Sequence, residues 1–429
     1  MRSAYNAALI AAVVLGVPLW GPALLLRSRY REGLGQRLAR YGPELKAIRT
    51  AGGVLWVHAA SVGEVRAVMP LLERLRTRAA ACPLVLSVTT PTGHRLARSL
   101  LDGPVCYLPL DLPWIVRRAV RELRPRLLLL AETELWPNLL AALHARGCPV
   151  ALVNGRISPR AFPRYRLIRP LVSQALGAVA LCCMQSEADA ERIRALGADP
   201  ARVVVTGNLK FDQPLPARVG ASLSELTPLI GAKPVVVAGS THAGEEAALL
   251  EACAALRARF PELVLVLAPR HPGRFDEVAA LVTRSGQPWI RRSHLRGAIN
   301  PPHPAVVLLD SVGELPQAYA LATVVFVGGS LVPVGGHNVL EPAAWGKPVL
   351  FGPSMENFQE IGMLMVQAGG GIQVSDRLAL ATTLERLLSS PQEAATVGGR
   401  GRALLEQHRG AVARTCGVIE PLLGQAVTA

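Results

Sequence analysis

The feature that most constrains this chain is a series of short apolar runs that do not alternate with polar residues. VLWVHA (54–59), LVLSVTT (84–90), VCYLPL (105–110), LLLLAE (127–132), VALVNG (150–155), VALCCMQ (179–185) and VVVTGN (203–208) form a first set. VVVAGS (235–240), LVLVLAP (263–269), VVLLDS (306–311), VVFVGG (324–329) and PVLFGP (348–353) form a second. Such continuous Val- and Leu-rich runs are expected of strands buried on both faces of a parallel sheet. Amphipathic stretches such as EEAALLEACAALRARF lie between them, so the pattern is βαβα twice over. At 429 residues the chain is also too long for one ordinary core. The expected fold class is α/β, with two doubly wound Rossmann-like domains facing across a cleft. The break falls in DQPLPARVGAS (212–222), which has two Pro and little periodicity. This gives a first domain over 51–215 and a second over 216–429.

The segment before residue 51 reads differently. From Ala7 to Leu26 no residue is charged, a length that can cross a bilayer core of about 30 Å as a helix. The expectation is a membrane anchor helix over 1–26. Pro18, Gly21 and Pro22 weaken that helix, which leaves a half-inserted or kinked anchor as the alternative. Arg2 precedes the apolar segment, whereas Arg27, Arg29, Arg31, Arg37, Arg40, Lys46 and Arg49 follow it. The positive-inside rule then keeps the body cytoplasmic. The basic juxtamembrane segment 27–50 suits anionic lipid head groups.

The whole chain is basic, with 46 Lys plus Arg against 31 Asp plus Glu. That balance suits nucleic acid, an anionic membrane surface or a phosphorylated substrate. Nucleic acid is disfavoured: there is no zinc-finger spacing and no RNP-like motif, and aromatics are only 4%. The seven Cys are odd in number and contain no C-x-x-C pair. Structural disulfides and a thiolate metal site are not expected, and the thiols should pack as small hydrophobes.

Polar motifs collect where the apolar runs end. HAASVGE, TTPTG, ETELWPN, NGRIS and GNLKFD follow runs of the first set, and GSTHAGEE, PRHPGR, DSVGEL and GGSLVPVGGHNVLEP follow runs of the second. Ligands of open α/β sheets bind outside the carboxyl ends of the strands. No G-x-G-x-x-G follows the first run and no G-x-x-x-x-G-K-[ST] occurs, so no dinucleotide cofactor is indicated. No D-x-D occurs either, so the usual acidic pair for a metal-bound nucleotide sugar is missing. A phosphate would be met by helix-start amides and basic side chains. Gly239-Ser240-Thr241, Arg270 and Gly335-Gly336-His337-Asn338 supply these.

Taken in series, HAASVGE, TPTG, ETELWPN, GNLKFD, PRHPGRF and GGSLVPVGGHNVLEP resemble the Kdo transferase family, and the likeness runs from the N-terminal segment through GPSMENFQEI (352–361). Kdo is 3-deoxy-D-manno-octulosonic acid. The resemblance implies a membrane-associated, metal-independent, inverting glycosyltransferase of the two-domain GT-B fold, without a cofactor. Its implied donor is CMP-Kdo and its acceptor the lipid A precursor, at the cytoplasmic face of the inner membrane. By the same resemblance Glu64 is the general base, and Glu132 and Lys210 stabilise the transition state. Pro269 and Arg270 match a CMP-binding pair, Val312, Gly313 and Glu314 a second nucleotide segment, and Asn338, Val339, Leu340 and Glu341 a third. Nothing rests on the Val339 side chain.

These residue types suit the chemistry. The donor's anomeric carbon is fully substituted and carries a carboxylate, so the transition state is oxocarbenium-like, with negative charge leaving on phosphate. An inverting transfer needs a carboxylate base opposite the leaving group and positive charge or amides around the phosphate.

Simpler readings stand beside these. SVGE has the form of a capping box, in which Glu64 only finishes a helix end. Glu132 would pair with a surface Arg, Lys210 would be a solvated loop residue, and Arg270 would join an ordinary ion pair. His58 reads as a hydrogen-bonded strand-end residue, Trp136 as packing, and His337 as either a nucleotide donor or a loop brace. Other functions compatible with the pattern are a GT-B transferase or epimerase using a UDP-sugar, and a non-enzymatic binder of anionic glycolipid.

Overall fold

In a computed structural model of the protein, residues 1–26, 32–48, 53–78, 82–213, 225–295 and 304–428 are described, apart from the side chains of 17–26, 46 and 425–428. The chain forms two compact units, Met1–Gln213 with Gly410–Ala429, and Pro214–Arg409.

The first unit is built on a seven-stranded sheet of β1 (Val54–His58), β2 (Leu84–Val88), β3 (Val105–Tyr107), β4 (Pro125–Ala131), β5 (Val150–Gly155), β6 (Leu181–Met184) and β7 (Val203–Val205). Its order is β3-β2-β1-β4-β5-β6-β7, and every pairing is parallel. Every residue of β1, β2 and β5 is buried, as expected of runs covered on both faces. Alternate residues feed two cores: Trp56, Leu128 and Leu130 one, and Leu55, Val57, Leu127 and Leu129 the other. Strand succession reverses direction between β1 and β4, which opens a crevice at their carboxyl ends.

The second unit repeats the scheme. β8 (Val235–Thr241), β9 (Val264–Pro269), β10 (Trp289–Arg291), β11 (Val306–Leu308), β12 (Val324–Val327), β13 (Val349–Phe351) and β14 (Gly371–Gln373) pair in parallel in the order β10-β11-β9-β8-β12-β13-β14. Here the reversal lies between β8 and β12. All twelve expected runs contain a strand. β10 and β14 are additions: each is a three-residue edge strand with no apolar run to announce it.

One expectation is corrected. The second domain does not extend to residue 429, because the helix Ala411–Thr428 belongs with the first unit. Asp212 caps its start, accepting from the Gly410 and Val412 amides at 2.7 and 2.6 Å. Its Ala411, Val412, Cys416, Ile419 and Leu423 complete one of the two cores. From Pro214 onward the expected linker lies outside the described residues.

The N-terminal segment is where the anchor is expected. A helix does run over Arg2–Leu26, but among the described residues no helix is long and apolar enough to cross a membrane. The first turns are tied to the first unit. Tyr5 donates to Asp111 Oδ2 at 3.0 Å, Asn138 Nδ2 donates to Asn6 Oδ1 at 2.6 Å, and Leu9 packs against the core. Arg27, Arg29, Arg31 and Arg49 of the basic segment, and the Lys46 side chain, lie outside the described residues.

Asp111 also accepts from the Asn138 and Leu139 amides at 3.0 and 2.8 Å. It thus caps the helix Pro137–His144, whose own N-cap, Trp136, offers no side-chain bond. Asp111→Ala is expected to lose about 2–4 kcal/mol, from the vacated cap and the buried donors left without an acceptor. Urea denaturation of parent and variant measures it. The seven cysteines are all buried, as expected of thiols that pack as small hydrophobes.

Candidate active site

HAASVGE leaves β1 and enters the helix Val62–Arg78. Ser61 is the N-cap, and the Glu64 amide donates to its Oγ at 3.4 Å. The Glu64 carboxylate accepts from the Ser61 hydroxyl at 2.9 Å and from the Ala60 amide at 2.8 Å. The capping box therefore forms, displaced by one residue, since the Glu reaches the amide before the cap rather than that of the cap itself. Both oxygens are engaged and the side chain is buried. Burial, and then the charge of Glu132, push the Glu64 carboxyl up to about 7, against the donated bonds from Ala60 and Ser61. A smaller contribution comes from Glu134.

Glu132 stands across the crevice, directly after β4. It holds a left-handed backbone, φ 53°, which costs a non-glycine residue on the order of 1 kcal/mol. Lys210 Nζ lies 3.7 Å from Glu132 Oε1, and the lysine side chain is only 13% exposed. Four side chains set the Lys210 turn. Asn208 accepts from the Lys210 amide at 3.0 Å and donates to Gln185 Oε1 at 2.9 Å. Asn154 Oδ1 accepts from the Leu209 amide at 2.9 Å, and Asp212 clamps the turn to the C-terminal helix. Glu64, Glu132 and Lys210 are thus gathered around the reversal point of the first sheet, two carboxylates and one ammonium.

The expected nucleotide residues lie at strand ends of the second unit. Pro269 ends β9, and the Arg270 amide donates to Thr241 O at 3.0 Å. Val312, Gly313 and Glu314 follow β11. Val312 is 80% exposed, and Gly313 adopts φ 91°. The Glu314 carboxylate is turned inward, 3.2 Å from Nε of buried Arg292. Asn338 accepts from the Leu340 amide at 3.1 Å and donates to Glu341 at 3.2 Å. Val339 and Leu340 are buried, so backbone rather than side chain is what they can offer a ligand.

Several neighbours of these residues escape sequence reading. Glu134 joins Glu132 and Glu64, its carboxyl raised by burial and then by Glu132. Arg292 spans Glu314 and Glu225, at 2.9 Å from the latter, and braces the DSVGEL loop. Spacing alone does not flag any of them, although Glu134 lies within ETELWPN. His58 is buried and bonded through Nδ1 to Ser87 at 3.0 Å, and burial holds its imidazole down to about 4, as befits a strand-end residue rather than a catalyst. The groove of about 780 Å³ beside Arg117, Arg121 and Arg146 contains none of the expected site residues. Among the described residues no group of three or more His, Cys, Asp or Glu could hold a metal ion.

Known proteins sharpen this picture. A family profile described as 3-deoxy-D-manno-octulosonic-acid transferase (kdotransferase) matches residues 32–213. The chain is 35% identical over 399 residues to the 3-deoxy-D-manno-octulosonic acid transferase of Haemophilus influenzae, covering 92% of both chains. It is 38% identical over 384 residues to that of Bordetella pertussis, covering 86% of this chain and 87% of the other. Among solved structures, S. aureus MnaA in its UDP co-structure aligns with a TM-score of 0.57 at 15% identity, over 87% of this chain and 97% of that one. Anabaena Alr3699/HepE in complex with UDP aligns with a TM-score of 0.52 at 17% identity, over 87% and 100%. At such identities these two speak for the fold alone, which is GT-B-like. The curated likeness extends far beyond the matched profile and through both units, and on that ground the chain belongs to the 3-deoxy-D-manno-octulosonic acid transferase family.

Proposed function

We propose that the chain is a glycosyltransferase of lipopolysaccharide biosynthesis that moves Kdo from CMP-Kdo to the lipid A precursor, with inversion and without a metal. The observation that carries the residue roles is the gathering of Glu64, Glu132 and Lys210 at one reversal point, with the Glu64 carboxyl raised to about 7. A base so poised is ionised in a useful fraction at neutral pH and still accepts a proton. Glu64 takes the proton of the acceptor hydroxyl. The freed oxygen attacks the anomeric carbon, and the carbon–oxygen bond to phosphate breaks on the opposite face. CMP departs with the bonding pair. The Lys210 ammonium offsets the Kdo carboxylate, and the Glu132 charge favours the oxocarbenium.

The second unit binds the nucleotide through Pro269, Arg270, Val312, Gly313, Glu314 and Asn338 to Glu341. The N-terminal helix holds the body at the cytoplasmic face of the inner membrane. Its exposed Ile10, Val13, Val14 and Leu15 and the following run of arginines support that reading.

The deciding experiment is incubation with CMP-Kdo and a tetraacylated lipid A precursor, with products counted by mass spectrometry and CMP release followed. Thermal protection by CMP but not UDP is the accompanying test, and transfer without CMP release would defeat the proposal. Arg270→Ala is expected to raise the Michaelis constant for CMP-Kdo on the order of tenfold or more, because charge-assisted bonds to phosphate contribute about 1.5–3 kcal/mol. The constant for the acceptor should hardly move. Steady-state kinetics with each substrate varied in turn would expose an unchanged donor constant and remove Arg270 from the site.

A further inference from the structure

Three histidines that the chemistry above leaves unused line the carboxyl edge of the second sheet. His242 follows β8, His271 follows β9 and His337 lies in the loop after β12, and these three strands are neighbours. His242 Nε2 and His337 Nε2 are 2.9 Å apart, with ring planes 10° from parallel. His271 meets His242 edge-on, with 5.4 Å between ring centroids. Because strand succession reverses between β8 and β12, the His242–His337 contact spans the crevice where open α/β sheets take their ligands.

The pair is held firmly. Buried Glu245 accepts from the amides of His242, Gly329, Ser330 and Leu331 at 2.7–3.0 Å, so one carboxylate fastens both histidine loops. Ser240 has φ 57° at a break in the β8–β9 register, and this irregular turn leads into His242. A Cβ on Gly329, itself at φ 66°, would come within 3.0 Å of the His337 ring and 3.3 Å of the His242 ring. Only glycine leaves that floor open for the two rings.

A hydrogen bond between two Nε2 atoms needs one proton between them. In the neutral pair one outer Nδ1 then carries a hydrogen and the other a lone pair. One further proton makes both outer nitrogens donors and gives the pair a positive charge. The protein surroundings of the pair resist that proton. Burial, and then the charges of His271, Arg274 and Arg270, hold His242 below the ordinary imidazole range, with Glu246 opposing them. Arg274 is already paired with Glu246 at 2.7 Å and Glu277 at 2.9 Å. Glu245 is occupied by its four amides. An arriving dianion reverses the balance, because it favours the charged pair directly.

We propose that His242 and His337 form a phosphate-binding pair that takes up one proton as the phosphate of CMP docks. This rests on the CMP site proposed above and extends it to two residues outside the nucleotide segments named there. In turnover the donor phosphodiester carries one negative charge. When its bond to the anomeric carbon breaks, the phosphate oxygen keeps the electron pair and CMP becomes a dianion. The pair meets that second charge with a proton from solvent, while Glu64 separately holds the acceptor's proton.

Calorimetric titration with CMP and with cytidine, in buffers of different ionisation enthalpy between pH 7 and 8.5, tests the proposal. Above a phosphate ionisation near 6 the ligand is fully dianionic, so any remaining proton uptake belongs to the protein. The parent is expected to take up close to one proton per CMP and to lose CMP affinity on the order of tenfold per pH unit. His242→Gln and His337→Gln should each abolish the uptake and weaken CMP about tenfold, with cytidine binding unchanged. His271→Gln should retain the uptake. The two loops are substituted separately, so a folding defect in one variant leaves the other informative. Absence of uptake in a parent that binds CMP, or its persistence in either pair variant, overturns the histidine assignment alone. A parent that does not bind CMP overturns the donor site as well.

Discussion

Glu64→Gln is expected to yield a folded protein that binds CMP and transfers Kdo at least about a hundredfold more slowly than the parent. Glutamine keeps the shape of the side chain and an oxygen that accepts from the Ala60 amide, and it serves at this position of a capping box. It cannot take the proton of the acceptor hydroxyl. The substitution therefore preserves the cap and removes the base. Near-parental turnover would mean that SVGE is a helix start and nothing more. The parent's rate should itself rise with pH through about 7, the value to which burial and Glu132 push the Glu64 carboxyl.

The same shift sets a stability signature. The folded state holds the Glu64 proton more tightly than the unfolded chain, whose glutamate titrates near 4.5. Stability from this group is thus greatest below pH 4.5, declines between about 4.5 and 7, and is lowest above 7. A shift of that size corresponds to at most about 3 kcal/mol. Glu64→Gln carries no charge to desolvate, so the variant should melt at or above the parent at pH 8, and the difference should close toward pH 5. Thermal denaturation at the two pH values tests this. A variant that melts well below the parent at pH 8 would show that the carboxylate serves the helix end more than the chemistry.

Much of the fold could be read from one property, the burial of parallel strands on both faces, because it forces continuous apolar runs. The runs located twelve strands and, with them, the loops that carry the candidate site residues. β10 and β14 were silent because Trp289–Arg291 and Gly371–Gln373 lie at sheet edges and need no apolar run. The C-terminal helix was placed with the wrong unit because its apolar face says that it packs, not where. The cap from Asp212 that directs it spans some two hundred residues of chain. The site was legible as residue types at strand ends, but not as partners. That Lys210 meets Glu132 depends on Asn154, Gln185 and Asn208, polar residues whose buried bonds leave no periodic trace. At Glu64 the cap and the proposed base do not exclude each other, because the bonds of the cap hold the carboxylate beside Glu132.

Lys210→Met should lower the turnover number by about 10²–10³ while leaving CMP affinity intact, since its turn belongs to the first unit and the proposed nucleotide residues to the second. The ammonium sits on a short turn fixed by Asn208, Asn154 and Asp212, so little reorganisation is required when charge develops. Methionine fills a similar volume and leaves Glu132 without this cation at 3.7 Å. The Glu132 charge then acts on Glu64 with less compensation and makes its deprotonation harder. The rising limb of the pH–rate profile should accordingly move to a pH above that of the parent. Lys210→Arg restores the charge with a bulkier head and should recover part of the rate and return the limb toward its parental position. A solvated lysine would do none of this. Rates within twofold of the parent and an unmoved limb in Lys210→Met would remove Lys210 from the transition state and leave the proposed chemistry to Glu64 and Glu132.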